Sequence, residues 1–316
     1  MPLPVPPSTP SSRRARGTAS GTCGELAQGV LPDGTPFVVT CPIDRGTAIE
    51  VVVEPADTLS VAGVPVESAY LERALRRTAE LVELAPSRIT VEHRSGLYVG
   101  KGMASSTADI VAAARALSSA AGLPLRPEEL AELAAAIEPT DGIMYDGVAA
   151  SNPRTGARVR TWDWWPQFLV VMAIPPTSFA TAGAQFEGQA ELAADYADLL
   201  AQLDAAVDRR DAAAFAEQAT RSAQLNEAFL PSPTFGLLQP HAERLGALGV
   251  CVAHTGTVAG LLFDAGIAGH AAAFAAAREL EVLAPSDVQI STAKTREWPG
   301  DRALAGSGAR HRRVGD

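Results

Sequence analysis

Apolar and polar positions alternate, recur in helical steps or run together along this chain in an order that predicts an α+β protein. Over residues 88–94, Ile89 and Val91 share one face and Thr90 and Glu92 the other, the period of two of a half-buried strand. Over residues 67–84, Leu71, Leu75, Leu81 and Leu84 recur among charges at helical spacing. Residues 168–174 are apolar throughout, which predicts a strand buried on both faces. Nearer the start, residues 19–30 and 36–43 predict two strands joined by the turn Pro32-Asp33-Gly34-Thr35. The β-branched run 46–54 predicts a third strand and residues 58–62 a short fourth. An Ala-rich helix is expected at 105–121, stopped by Gly122 and Pro124. A second starts at Pro127, with Glu128 and Glu129 favourable to the helix dipole, and ends at Glu138-Pro139. Residues 140–152 read as a loop and 159–162 as a strand. After Pro175-Pro176, helices are expected at 191–209, 211–228 and 233–248. Strands at 250–254 and 258–263, a helix at 268–280 and a strand at 288–291 complete the chain.

Composition narrows the class. With 316 residues the chain forms one large domain or two ordinary ones, and 47% hydrophobic with 20% charged residues is a globular balance. A net charge of −10 argues against nucleic-acid or general anionic-membrane binding, and no apolar run reaches the length of a membrane span. Cys23, Cys41 and Cys251 are odd in number and far apart, which predicts free thiols in a reducing compartment rather than disulfides or a zinc site. The Pro- and Ser-rich start lacks the apolar core of a signal peptide, so a cytoplasmic location is expected. The expected organisation is a disordered leader at 1–16, ordered halves at 17–165 and 166–298, and a flexible tail at 299–316.

Candidate chemistry gathers in four places. Between the strand 88–94 and the helix 105–121 lies Val99-Gly100-Lys101-Gly102-Met103-Ala104-Ser105-Ser106-Thr107. Such a loop brings backbone N–H groups together at a helix N-terminus, where a phosphate is favoured. The hydroxyls can cap the helix, bind phosphate or reach magnesium. By itself the stretch is equally an ordinary capped loop, and it is no Walker A loop, because no lysine stands between its last glycine and the serines. Lys101 adds weight, since the chain has only two lysines among 26 basic residues. Gly21-Thr22-Cys23-Gly24-Glu25-Leu26-Ala27-Gln28-Gly29 packs three glycines into one strand, the mark of a bulge or of close ligand approach. Glu138 and Asp141 put two carboxylates at a helix end, where the dipole disfavours them unless a cation or a proton-transfer task compensates. The turn from Ala253 through His254 to Gly260 is small enough for backbone to lie against a ligand, or is a plain tight hairpin. Trp162, Trp164 and Trp165 are expected to pack in the core or between halves.

In this order, residues 21–29, 99–108 and 253–260 resemble the signatures of the GHMP kinases, and the resemblance spans nearly all of the ordered chain. Met103-Ala104 stands where most members have Leu-Gly, and Thr107 follows the serines. These spellings, with Glu138-Pro139-Thr140-Asp141-Gly142, resemble the L-threonine kinase branch, whose members make O-phospho-L-threonine for the aminopropanol linker of adenosylcobalamin. The resemblance implies a two-domain fold, a ribosomal-S5-domain-2-like N-terminal half and a ferredoxin-like C-terminal half. It implies ATP across Val99, Gly100, Lys101, Gly102, Met103, Ala104, Ser105, Ser106 and Thr107, with Lys101 adding charge neutralisation. Magnesium would be held by Ser105 or Ser106 and by Glu138. Several members place a base in a Gly-x-x-Asp pattern, where this chain has Tyr145. The Glu138-to-Asp141 spacing looks more like homoserine kinase, whose members are thought to work without a dedicated base, so Asp141 is a candidate base or acceptor-orienting group. For a threonine zwitterion, Glu25 or Asp44 would meet the ammonium, and Thr22, Thr257 or an arginine the carboxylate; Cys23 lies in the same substrate strand. Another small alcohol such as homoserine or serine, and a non-catalytic nucleotide-binding protein on the same fold, are the alternatives.

Overall fold

A computed structural model describes residues 12–65, 68–178 and 188–296. The first half contains β1 (Arg13–Val30), β2 (Pro36–Pro55), β3 (Ser60–Ala62), α1 (Ala69–Leu81), β4 (Ser87–Ser95), α2 (Ser105–Ala121), α3 (Pro127–Ala135), β5 (Ala149–Ser151) and β6 (Arg158–Thr161). The second contains β7 (Phe168–Ile174), α4 (Ala193–Asp208), α5 (Ala212–Glu227), α6 (Pro233–Leu238), β8 (Gly249–Val252), β9 (Ala259–Asp264), α7 (Ile267–Leu283) and β10 (Gln289–Lys294). The α+β expectation holds. One sheet runs through both halves in the order β10-β7-β9-β8-β1-β2-β4-β3, with β5 paired to β2 and β6 to β5.

The β1–β2 hairpin is its spine. Its turn closes as Pro32-Asp33-Gly34-Thr35 predicts: Thr35 N donates to Asp33 Oδ1 at 2.9 Å and Gly34 takes φ 83°. The strands are longer than their hydrophobic patterns. Arg13 pairs with Val53 and Arg14 reaches Glu50 at 2.8 Å, so residues 13–16 belong to β1 and not to a disordered leader. Residues 1–11 and the tail at 299–316 lie outside the described residues. β2 continues through Asp44-Arg45-Gly46, because β1 pairs along one edge of its second half and β4 along the other.

The single β1–β8 pairing, Glu25 with Val252, joins the strands of the two halves. Just before it, β1 is bulged: register slips between Thr22 and Glu25, and Gly24 takes φ 60°. On β7, Leu169, Val171 and Ala173 enter one core while Phe168, Val170, Met172 and Ile174 enter the other, as an all-apolar strand requires. The expected helix at 233–248 stops at Leu238, since Pro240 cannot supply the next helical N–H. Trp162 and Trp165 are buried, and Trp162 Nε1 donates to Asp204 Oδ1 at 2.8 Å. Among the described residues no helix is long and apolar enough to cross a membrane.

Small residues set the spacing of α2 on the hairpin. A Cβ on Gly17 would lie 2.0 Å from the Ala112 carbonyl oxygen, so the helix rides directly on β1. Gly17→Ala is expected to push them apart at a cost of about 1–3 kcal/mol. A urea melt would show this as a lower midpoint with unchanged slope.

Candidate active site

The loop between β4 and α2 is held from outside. Thr22 N donates to Met103 O at 3.1 Å and Gly24 N to Gly102 O at 3.2 Å, which fixes it to β1. On its other side Thr257 N and Val258 N both donate to Lys101 O, at 3.0 and 2.9 Å. Gly100 and Gly102 take φ of 71° and 81°, and Ala104, the residue before α2, takes φ 53°. A Cβ is disfavoured in that left-handed region, so Ala104 carries strain at the mouth of the helix. No side chain caps α2, which leaves its first-turn N–H groups to a ligand or water.

Gly100, Gly102 and residues 103–107 line a cavity together with Glu25, Thr140, Asp141, His254 and Thr255. The three motif regions and the acidic helix end thus meet at one place. Glu25 is buried and Asp141 half-buried. Burial pushes Glu25 well above the usual carboxylate range, and the neighbouring Asp141 raises it further. Asp141 is pushed up to about 6, chiefly by burial, with hydrogen bonds from Glu25 and Thr107 opposing and the charge of Glu138 adding. Burial and mutual proximity thus both disfavour ionisation of the two carboxyls together. Thr107 Oγ1 donates to Asp141 Oδ2 at 3.4 Å. Glu138 is also raised by burial, opposed by a hydrogen bond from Ser106 and by the charge of Arg73. Among the described residues, Glu25 Oε2 and Glu138 Oε1 are buried without hydrogen-bond partners. Glu25 lines the cavity and Glu138 precedes its lining residue Pro139; a buried carboxyl oxygen of this kind is satisfied by a cation or by a proton.

Several expected site residues lie elsewhere. Val99 is 72% exposed and outside the cavity. Lys101 is buried, but its ammonium donates to the carbonyls of Pro176 and Thr177, away from the cradle. Thr22 Oγ1 donates to Gly102 O at 3.4 Å, so it supports the loop. Cys23 packs with Cys251, whose sulfur lies 3.9 Å from its own, in the core. Asp44 is exposed and accepts from Lys294 N at 3.1 Å in a separate cleft. Thr257 Oγ1 donates to Thr177 O at 2.9 Å. Of the five expected substrate contacts, Glu25 alone faces the cavity. Tyr145, standing where some relatives have an Asp, donates to Gly156 O at 2.6 Å and is buried away from it.

Sequence reasoning passed over His254, Thr140 and Asp109. His254 lines the cavity, and burial lowers its pKa to about 4, so it is neutral near pH 7. Its place at the start of the glycine-rich turn was the available signal. Asp109, one turn into α2, accepts from Tyr70 Oη at 3.0 Å and lies 2.9 Å from His93 Nε2, tying α1 and β4 to α2 behind the cradle.

Residues 69–150 match the family model described as GHMP kinases N terminal domain. The L-threonine kinase of Salmonella typhimurium (strain LT2) is 32% identical over 288 residues, covering 90% of either chain. The chain belongs to the GHMP kinases. The L-threonine kinase of Citrobacter freundii is 29% identical over 247 residues, covering 77% of this chain and 84% of that one. The GHMP kinase fold extends through both halves. The crystal structure of L. major mevalonate kinase in complex with R-mevalonate superposes with a TM-score of 0.68 at 18% identity, covering 93% of this chain and 99% of that one. Homoserine kinase from Cytophaga hutchinsonii gives 0.64 at 15%, covering 94% and 97%.

Ala104 offers a direct test of this GHMP kinase loop. Glycine takes the left-handed conformation without strain, though it loses more entropy on folding. Ala104→Gly is expected to leave stability unchanged or raise it by up to about 1 kcal/mol, measured by denaturant unfolding.

Proposed function

We propose that this protein is an ATP-dependent kinase that phosphorylates the side-chain hydroxyl of L-threonine, giving O-phospho-L-threonine. The observation that carries the proposal is the Glu25–Asp141 carboxyl pair facing an uncapped helix N-terminus across one cavity. Threonine kinase relatives in two bacteria supply the acceptor. Use of the product for the aminopropanol linker of adenosylcobalamin, which the branch resemblance implies, is part of the same proposal.

Backbone N–H groups of the loop and of the first turn of α2 hold the triphosphate, where the helix field favours anions. Magnesium fits the remaining groups. The orphaned Glu138 Oε1, with the hydroxyls of Ser105 or Ser106, gives few protein ligands, and among the described residues no cluster of three or more metal-binding side chains occurs. That suits an ion whose other ligands are phosphates and water. When bound it neutralises charge between the β- and γ-phosphates.

The acceptor lies between the cradle and the acid pair. Glu25 meets the threonine ammonium, a cation that its buried Oε2 otherwise lacks. The ammonium favours the ionised form of Glu25. Asp141, beside Thr107 and the cradle, accepts the proton of the attacking hydroxyl or orients it. Little covalent chemistry is asked of the chain, and positioning and charge do most of the work.

ADP release measured with threonine, serine, homoserine and mevalonate tests the acceptor. Threonine-dependent turnover well above the others is expected, no turnover with threonine would sink the proposal, and a homoserine optimum would reassign the acceptor. Glu25→Gln is expected to raise the threonine KM about 10–100-fold, the worth of a charge-assisted hydrogen bond, with the ATP KM unchanged. Because Asp141 acts ionised, kcat/KM should fall about tenfold per pH unit below about 6, and Asp141→Asn should lower turnover and remove that limb. Stability moves the other way. The folded chain binds this proton more tightly than the unfolded one, so Asp141 makes stability fall as pH rises from about 4 to 6.

A further inference from the structure

We infer that Lys101 is a positioning residue, a latch that holds the phosphate cradle in shape from behind and touches no phosphate itself. Its Nζ donates to Pro176 O at 2.5 Å and to Thr177 O at 2.6 Å, and the residue is only 8% exposed. Two of its three ammonium protons are thereby committed to carbonyls just beyond β7. The backbone of the same residue is committed as well, since Lys101 O accepts from both Thr257 N and Val258 N.

These bonds close a ring. Thr177 O accepts from Lys101 Nζ and also from Thr257 Oγ1, while Thr257 N returns to Lys101 O. Thr234 Oγ1 extends the ring to α6 by donating to Thr257 O at 2.7 Å. At the next position Gly102 sits directly against Gly256, so a small displacement of Lys101 displaces the cradle's own backbone. The choice of residue fits this task. In a chain with only two lysines among 26 basic residues, a compact ammonium fills this buried position, and the longer, planar guanidinium of an arginine would have to displace the loop to reach the same carbonyls.

The inference rests on the nucleotide half of the proposed function, so its test omits the acceptor. Affinity for a non-hydrolysable ATP analogue with magnesium is measured by titration calorimetry on the full chain, for wild type, Lys101→Met, Lys101→Arg, Thr257→Val and the Lys101→Met/Thr257→Val double variant. Circular dichroism of each reports folding. A latch predicts that Lys101→Met and Lys101→Arg both weaken binding by about 10–100-fold, the cost of misplacing a site by about an ångström. Thr257→Val, which lies outside the cavity and keeps the lysine, should lose about 3–10-fold, the worth of a neutral hydrogen bond. The double variant should be no worse than Lys101→Met, because both changes act through the Thr177 carbonyl. In turnover the ATP KM should rise with the acceptor KM unchanged, whereas a smaller folded fraction would lower kcat and leave both KM values as they are.

Near-wild-type affinity in Lys101→Arg with loss in Lys101→Met would overturn the latch in favour of direct charge. Simple addition of the two single effects would overturn it too, as would unaltered affinity in Thr257→Val, a result that stands even where the lysine variants fail to fold. A wild-type protein that binds no analogue removes the nucleotide reading and the latch together, whereas a wrong acceptor leaves the latch standing.

Discussion

Everything at the cavity depends on how closely two stretches of bare backbone approach each other. A Cβ on Gly102 would lie 2.3 Å from the Cβ of Ala253, and one on Gly256 would lie 2.3 Å from Gly102 N. The cradle of the first half and the turn of the second therefore meet with no side chain between them. The bulge at Gly24 fits into the same junction, where Gly24 N donates to Gly102 O and the next residue pairs with Val252. That is how a carboxylate from the first strand comes to stand beside one from the loop after the third helix, which ends at Ala135 and not, as its sequence predicts, at Glu138-Pro139. A single methyl group at either glycine would separate the anion site from the acid pair.

The junction also sets the electrostatics. Glu25, Glu138 and Asp141 are all raised by burial, and among the cavity's side chains His254 stays neutral near pH 7. Acids gathered in a poorly solvated site repel added anions unless cations arrive with them. A nucleotide carrying a divalent ion and an acceptor carrying an ammonium bring such cations. On the proposed function, the helix N-terminus would take the anionic part of the ligands and the acid pair the cationic part.

Much of this was legible in the residues themselves. α2 begins and ends where its glycines and hydroxyls predict, the Pro-Asp-Gly turn closes as expected, and β7 is buried on both faces because it has no polar side. Such features are local. The three-residue β5 was read as a loop because it is too short to show a pattern, and it is fixed as a strand by Val38 and Val39 of β2, far away in the sequence, as well as by the nearby β6. Side-chain destinations were the hardest to read. Thr22, Cys23 and Glu25 are near neighbours on β1, yet only the third reaches the cavity, since the bulge at Gly24 breaks the alternation that would place them. Lys101 and Thr257 were expected at the ligand because their motifs are. Their polar groups turn to the Pro176 and Thr177 carbonyls, which no motif announces.

Cys23, Cys41 and Cys251 come together in the core from strands β1, β2 and β8, each without exposed surface. Hydrogen bonding with Cys251 and burial push Cys23 and Cys41 above the ordinary thiol range, and none of the three sulfurs is open to a reagent while the chain is folded. A small thiol-specific dye would therefore label them only when the strands part. The rate of that labelling is a built-in clock for opening of the seam between the halves, readable on the purified protein without any engineered probe.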